Sequence, residues 1–164
     1  MGDIMFFNDL VSKDRQKNYD MVLSMLPHYC NPSEPLVTTL ANVSALLNAF
    51  MDDINWVGFY IFNGKSLYLG PFQGAPACTT IALGSGVCGE AAHTQKTVIV
   101  DDVLSRENHI TCDTRSRSEI VVPIIKNNVL LGVLDVDSPN LSRFSETDKS
   151  LLEKVVKLLV DNWH

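Results

Sequence analysis

Residues 119–139 read EIVVPIIKNNVLLGVLDVDSP. Two apolar, β-branched runs flank Asn127-Asn128, a dipeptide that tolerates the left-handed backbone of a two-residue hairpin turn. The spacing predicts a hairpin, with strands over Glu119–Ile125 and Val129–Asp137. A two-residue turn pairs Lys126 with Val129 and, carried down the ladder, Glu119 with Val136. Glu119 then lies on the face opposite Asp135 and Asp137, because side chains alternate along a strand. For the three acids to share one face, the hairpin needs a bulge or an odd loop, or Glu119 must enter from irregular chain. One of these distortions is expected.

Outward from this hairpin the texture stays β-rich. NWVGFYIF (55–62) is aromatic and β-branched, and the turn signal Asn63-Gly64 leads into a second strand near Ser66–Phe72. Short strands are expected at Thr79–Leu83 and Thr97–Val100, with a short helix near Glu90–Thr94 opened by glycines. Earlier, Tyr19, Val22, Leu23 and Leu26 form a helical stripe within Asp14–Leu26, and Leu36, Leu40, Val43, Leu46, Leu47 and Phe50 form another. The break between them is NPSEP (31–35). A closing helix starts near Ser145, an N-cap residue with Asp148 three positions on. Helices at both ends around a mainly antiparallel sheet give an α+β sandwich.

The chain has 164 residues, which predicts a single domain over 1–164. Its 46% apolar and 20% charged content excludes a disordered chain. A net charge of -6 argues against a nucleic-acid partner. No apolar run approaches the roughly 18–20 residues of a membrane span. The start, MGDIMFFNDL, lacks the basic region of a signal peptide, and Phe6 stands where a myristoylation motif needs Ser or Thr. These features predict a cytoplasmic protein, whose cysteines stay reduced unless redox chemistry is their task.

The cysteines are Cys30, Cys78, Cys88 and Cys112. None has CxxC spacing, and His28 and His109 are singletons, so the spacing predicts no metal site. GSGVCG (84–89) matches G-x-G-x-x-G, but three hairpin-spaced strands precede it and only a short helix follows. It reads as a tight strand-to-helix turn whose N–H groups could line a small anion, with no nucleotide cofactor. In HITCDTRSRSEIVVPI (109–124), Cys112 lies within five residues of Arg115 and Arg117. Two readings stay open: a thiolate favoured by positive charge, or a buried structural thiol beside two solvated arginines. Asp135 and Asp137 likewise end a strand that is either reaching solvent or presenting two carboxylates to one pocket, where they could bind an ammonium group or retain a proton.

Taken together, WVGFY (56–60), LGPFQGAPAC (69–78), GSGVCGEAA (84–92), HITCD (109–113), SRSEIVVPI (116–124) and LGVLDVDSP (131–139) resemble the free methionine-(R)-sulfoxide reductases, a family of GAF-domain enzymes. Thr111 and Val136 are mild departures, where Ala and Ile would be expected. The resemblance implies a GAF-like fold and reduction of free methionine (R)-sulfoxide. It implies Cys112 as the catalytic cysteine, Cys78 as the resolving cysteine, and Cys88 as a third cysteine that can act as alternative partner or spare. It assigns Glu119, Asp135 and Asp137 as pocket acids and Trp56 as an apolar wall for the S-methyl group. Thioredoxin would be the reductant and a homodimer the assembly. Cys30 lies outside every matching segment and reads as structural. Two rival readings need no turnover: a ligand-binding regulatory GAF module, which would usually sit beside an output domain, and a thiol redox sensor.

Overall fold

A computed structural model describes residues 7–108 and 112–163. Residues 1–6, which carry most of the N-terminal signal-peptide reading, lie outside the described residues, as do His109 and Thr111. After a 3-10 turn at Phe7–Leu10 come helices α1 (Arg15–Tyr29) and α2 (Leu36–Phe50). Strands β1 (Trp56–Phe62), β2 (Ser66–Gly74) and β3 (Thr80–Ala82) follow, then helix α3 (Gly86–Thr94) and strand β4 (Val98–Val100). A loop with a 3-10 turn at Val103–Ser105 leads to β5 (Ser118–Lys126), β6 (Val129–Ser138) and the last helix, α4 (Glu146–Asp161).

The six strands form one antiparallel sheet in the order β3-β2-β1-β6-β5-β4. This is the α+β arrangement that the pattern of helical stripes and hairpins predicts. Alternation divides the apolar residues between two layers. Val57, Phe59, Ile120, Val122, Ile124, Leu134 and Val136 face α1, α2 and α4 and make the larger core. Trp56, Tyr60, Val121 and Val133 face the other way, under α3 and the long loops. The candidate site residues Trp56, Cys88, Glu119, Asp135 and Asp137 lie on this second, thinner layer's side of the sheet.

The β5–β6 hairpin resolves the register difficulty. Asn127 and Asn128 both have positive φ (51° and 63°), as a two-residue turn requires. Lys126 pairs with Val129 and Ile125 with Leu130, but the next pair is Ile124 with Gly132. Leu131 is therefore the extra residue of a bulge. The slip of one position pairs Glu119 with Asp137 and Val121 with Asp135, so all three acids share a face. Pro123, which has no N–H to donate, lies on β5 beyond the end of β4, whose last partner in that direction is Val121.

Candidate active site

The centre of the site is a row across three strands. Trp56 on β1 pairs with Asp137 on β6, which in turn pairs with Glu119 on β5. The next row on that face is Gly58, Asp135 and Val121. Gly58 keeps this row low, since a Cβ there would run into the Phe72 backbone and side chain. The N-terminal turn of α3 and the loops carrying Cys78 and Cys112 close the space above. The cavity measures about 50 Å³, and its lining includes Trp56, Tyr60, Cys88, Cys112, Glu119, Asp135 and Asp137. A single water-sized group needs roughly 10–15 Å³, so the space suits a small molecule and not a folded peptide segment.

Cys78 and Cys112 are joined in a disulfide with Cα atoms 5.5 Å apart, inside the usual bridging range. Cys78 lies in the loop between β2 and β3, held by a hydrogen bond of 3.0 Å from the Tyr60 hydroxyl to its carbonyl oxygen. Cys112 arrives from the loop between β4 and β5. Cys88 and Cys30 are free. Cys88 is buried, 3.9 Å from Glu119 Oε1, and burial first, then the charges of Asp135 and Glu119, push its thiol pKa well up. It therefore sits in the wall as a neutral thiol.

Glu119 and Asp135 are buried, and Asp137 is partly so. Burial and mutual repulsion raise the pKa of all three well above the ordinary carboxylate range: desolvation is the leading cause for each, with Asp135 acting next on Glu119, Asp137 on Asp135, and Glu119 on Asp137. Like charges on neighbouring strands are unfavourable, and a proton held between Glu119 and Asp135, whose side chains hydrogen-bond, relieves the repulsion. The Oδ1 of Asp135 is buried without a hydrogen-bond partner. The site thus holds protons and presents an unsatisfied acceptor.

Of the two readings left open for the arginines near Cys112, the structure fits the one in which they point elsewhere. Arg115 forms a two-pronged pair with Asp113 (2.7 and 3.1 Å), and Arg117 reaches Asp102 at 3.6 Å. Neither lines the cavity. The Arg115 guanidinium holds the Asp113 carboxyl down to about 2, so this pair fixes the loop. Asn55 adds to it, donating through Nδ2 to Asp113 at 3.2 Å and to Ser116 Oγ at 3.1 Å.

Tyr60 also lines the cavity, although the sequence pattern alone does not single it out. Its ring stacks near Trp56, with centroids 6.0 Å apart, and Trp56 also stacks on Phe72 at 5.2 Å. The period-two spacing from Trp56 was the available signal. Asn55 and Ser116 gave none, because their contact spans 61 positions. Ser85, Gly86 and Val87 also line the cavity, bringing the start of α3 to it. The Ser85 side chain makes no cap bond there, leaving the first N–H groups of the helix for another acceptor.

A GAF-domain family model matches residues 37–162. The chain is 46% identical over 123 residues to the free methionine-R-sulfoxide reductase of Escherichia coli, covering 75% of this chain and 74% of that protein. The chain belongs to the free methionine-(R)-sulfoxide reductase family of GAF-domain proteins. Two solved structures agree with this membership. That of fRMsr of Staphylococcus aureus in complex with substrate is 44% identical, with a TM-score of 0.83 over 88% of this chain and 95% of that one. That of free methionine-R-sulfoxide reductase from Neisseria meningitidis, in complex with its substrate, is 38% identical, with a TM-score of 0.81 over 93% and 92%.

Proposed function

We propose that this protein reduces free L-methionine (R)-S-oxide to L-methionine with its own cysteines. The observation that carries this reading is the Cys78–Cys112 disulfide, set at a cavity lined by Cys112 and by three carboxyl groups whose pKa values burial and mutual repulsion raise, so that the group can retain a proton. The sulfur of Cys112 would attack the sulfoxide sulfur while a carboxyl of the Glu119, Asp135 and Asp137 group gives its proton to the oxygen. A second carboxylate of the group takes the thiol proton, so the cluster ends with the protons it began with. The hydroxyl then passes from the substrate sulfur to the Cys112 sulfur as the sulfur–sulfur bond of the adduct breaks, so that methionine leaves and Cys112 holds the oxygen as a sulfenic acid. The Cys78 thiol then displaces water and forms the disulfide. A dithiol, for which thioredoxin is the proposed source, reopens it by exchange and is itself oxidised.

Selectivity for the free amino acid follows from charge. The carboxylates that do not carry the acid proton can hold the substrate ammonium, which a peptide-bonded methionine lacks. The start of α3 offers backbone N–H groups to the substrate carboxylate. Trp56 and Tyr60 give the S-methyl group a flat apolar wall. Cys88, neutral and buried, is placed as a second thiol within the same wall.

The test is turnover with dithiothreitol on separated R and S epimers and on a peptide-bound sulfoxide. Consumption of the free R epimer alone, lost by at least about 10³-fold in Cys112→Ser, is the expected result. If the disulfide forms with peroxide but no sulfoxide is turned over, the protein is a thiol sensor and the proposal fails.

A further inference from the structure

We propose that Cys88, Glu119 and Asp135 form a binding site for a zinc-class divalent cation. The inference goes beyond turnover and does not depend on it.

The three residues come from three elements: the first turn of α3, β5 and β6. Each is buried, and each offers one ligand atom, with these atoms all within 4.8 Å of one another. Spacing in the sequence cannot reveal such a set, because it is gathered by the sheet register and by the turn into α3. The Cys88 Sγ lies 3.9 Å from Glu119 Oε1. In a tetrahedral zinc site, with zinc–sulfur and zinc–oxygen bonds of about 2.3 and 2.0 Å, the sulfur and oxygen ligands stand about 3.5 Å apart. A shift of a few tenths of an ångström therefore closes this pair around an ion. Asp135 supplies the third donor through a carboxylate oxygen, and its Oδ1 is buried without a hydrogen-bond partner. The adjoining cavity supplies a fourth position for water.

The donor set selects its ion. One thiolate with two carboxylates is too soft for magnesium or calcium, which take oxygen ligands throughout, and it suits zinc. Binding must expel the thiol proton and whatever protons the two carboxyl groups carry, so affinity rises with pH. Three anionic donors around a dication leave one negative charge, and Arg106 is the cation whose field already reaches Glu119. With the ion in place, Glu119 and Asp135 could neither donate a proton nor hold an ammonium group. A bound metal would therefore block the cavity.

Cobalt(II) is the probe, since a cobalt–thiolate bond has its own charge-transfer absorption. The experiment uses the oxidised protein, in which Cys78 and Cys112 are already consumed, with Cys30→Ser added so that Cys88 is the remaining free thiol. One equivalent of cobalt should produce the thiolate band just above neutral pH, and zinc should displace it. Adding Cys88→Ser should abolish the band, and Asp135→Asn should weaken binding by about tenfold or more while the band persists at saturation. Isothermal titration with zinc in two buffers of different ionisation enthalpy should show proton release. No band in the Cys30→Ser protein, or equal zinc affinity with and without Cys88 or the Asp135 carboxylate, would overturn the site and assign any binding to surface carboxylates.

Discussion

Three carboxyl groups on one wall would repel one another as anions, and burial already disfavours their charged forms. Glu119, Asp135 and Asp137 therefore bind protons in the folded state that the unfolded chain releases above about pH 4. Stability from these positions is fully present below that value and is lost as pH rises through the raised folded values. Asp135→Asn cannot ionise and should escape this loss. At neutral pH we expect it to unfold at higher urea, by about 1 kcal/mol or more, with the gap shrinking towards the acid end. An Asp135→Asn protein no more stable than the parent at neutral pH would show that the carboxyl is not under this strain. The acids were legible as residues because carboxyl groups are rare in apolar strands, and the cysteines because they fall in the segments that carry the family resemblance. The partners of Arg115 and Arg117 were not, since an exposed guanidinium chooses among acids that only the folded loop brings near.

At the scale of elements, the strands and helices of the sequence reading recur with small shifts at their ends. α1 continues past Leu26 to Tyr29, with Pro27 inside it, so the proline did not stop the helix where the apolar stripe ended. Of the distortions expected, the one that occurs is a bulge at Leu131, and its neighbour Gly132 shows why it can form there. A Cβ on Gly132 would sit against the Tyr60 carbonyl oxygen across the β1–β6 ladder. Gly132→Ala should therefore push β6 from β1 and cost about 1–3 kcal/mol in urea denaturation. The same ladder sets Trp56 opposite Asp137, so turnover should fall as well. Unchanged stability in Gly132→Ala would mean that the strands have slack there. The need for a distortion was legible from the hairpin, since three acids on one face required a bulge, an odd loop or irregular chain at Glu119. Its position was not, since the sequence shows the glycine but not the carbonyl that it must clear.

The whole molecule is tied together on the side away from the cavity by a buried polar cluster that no local pattern announces. Arg143, buried after β6, donates to Asp148 Oδ1 at 2.9 Å, to Asp52 Oδ1 at 3.0 Å and to the Tyr19 hydroxyl at 3.3 Å. Tyr19 is on α1, Asp52 on the turn after α2, and Asp148 on the first turn of α4, where it also accepts from the Ser145 N–H at 2.8 Å. Tyr19 donates in turn to Asp148, and its hydroxyl pKa rises to about 12, chiefly by burial. The Asp148 carboxyl is fully buried yet its pKa is lowered, because Tyr19, Ser145 and Arg143 all favour its charged form over the cost of burial. Arg143→Leu leaves that charge without its cation and should cost about 3–5 kcal/mol. Its stability should also depend on pH in a new way, since an unpaired buried Asp148 gains by taking up a proton. Adding Asp148→Asn removes the charge while keeping an oxygen for Ser145, so the double variant should recover part of the loss. Urea denaturation followed by both far- and near-ultraviolet circular dichroism measures the difference, and one shared transition is expected because the cluster joins α1, α4 and the start of β1. A double variant less stable than Arg143→Leu alone would mean that Asp148 acts mainly as the cap of α4, and that the stranded charge was never the cost.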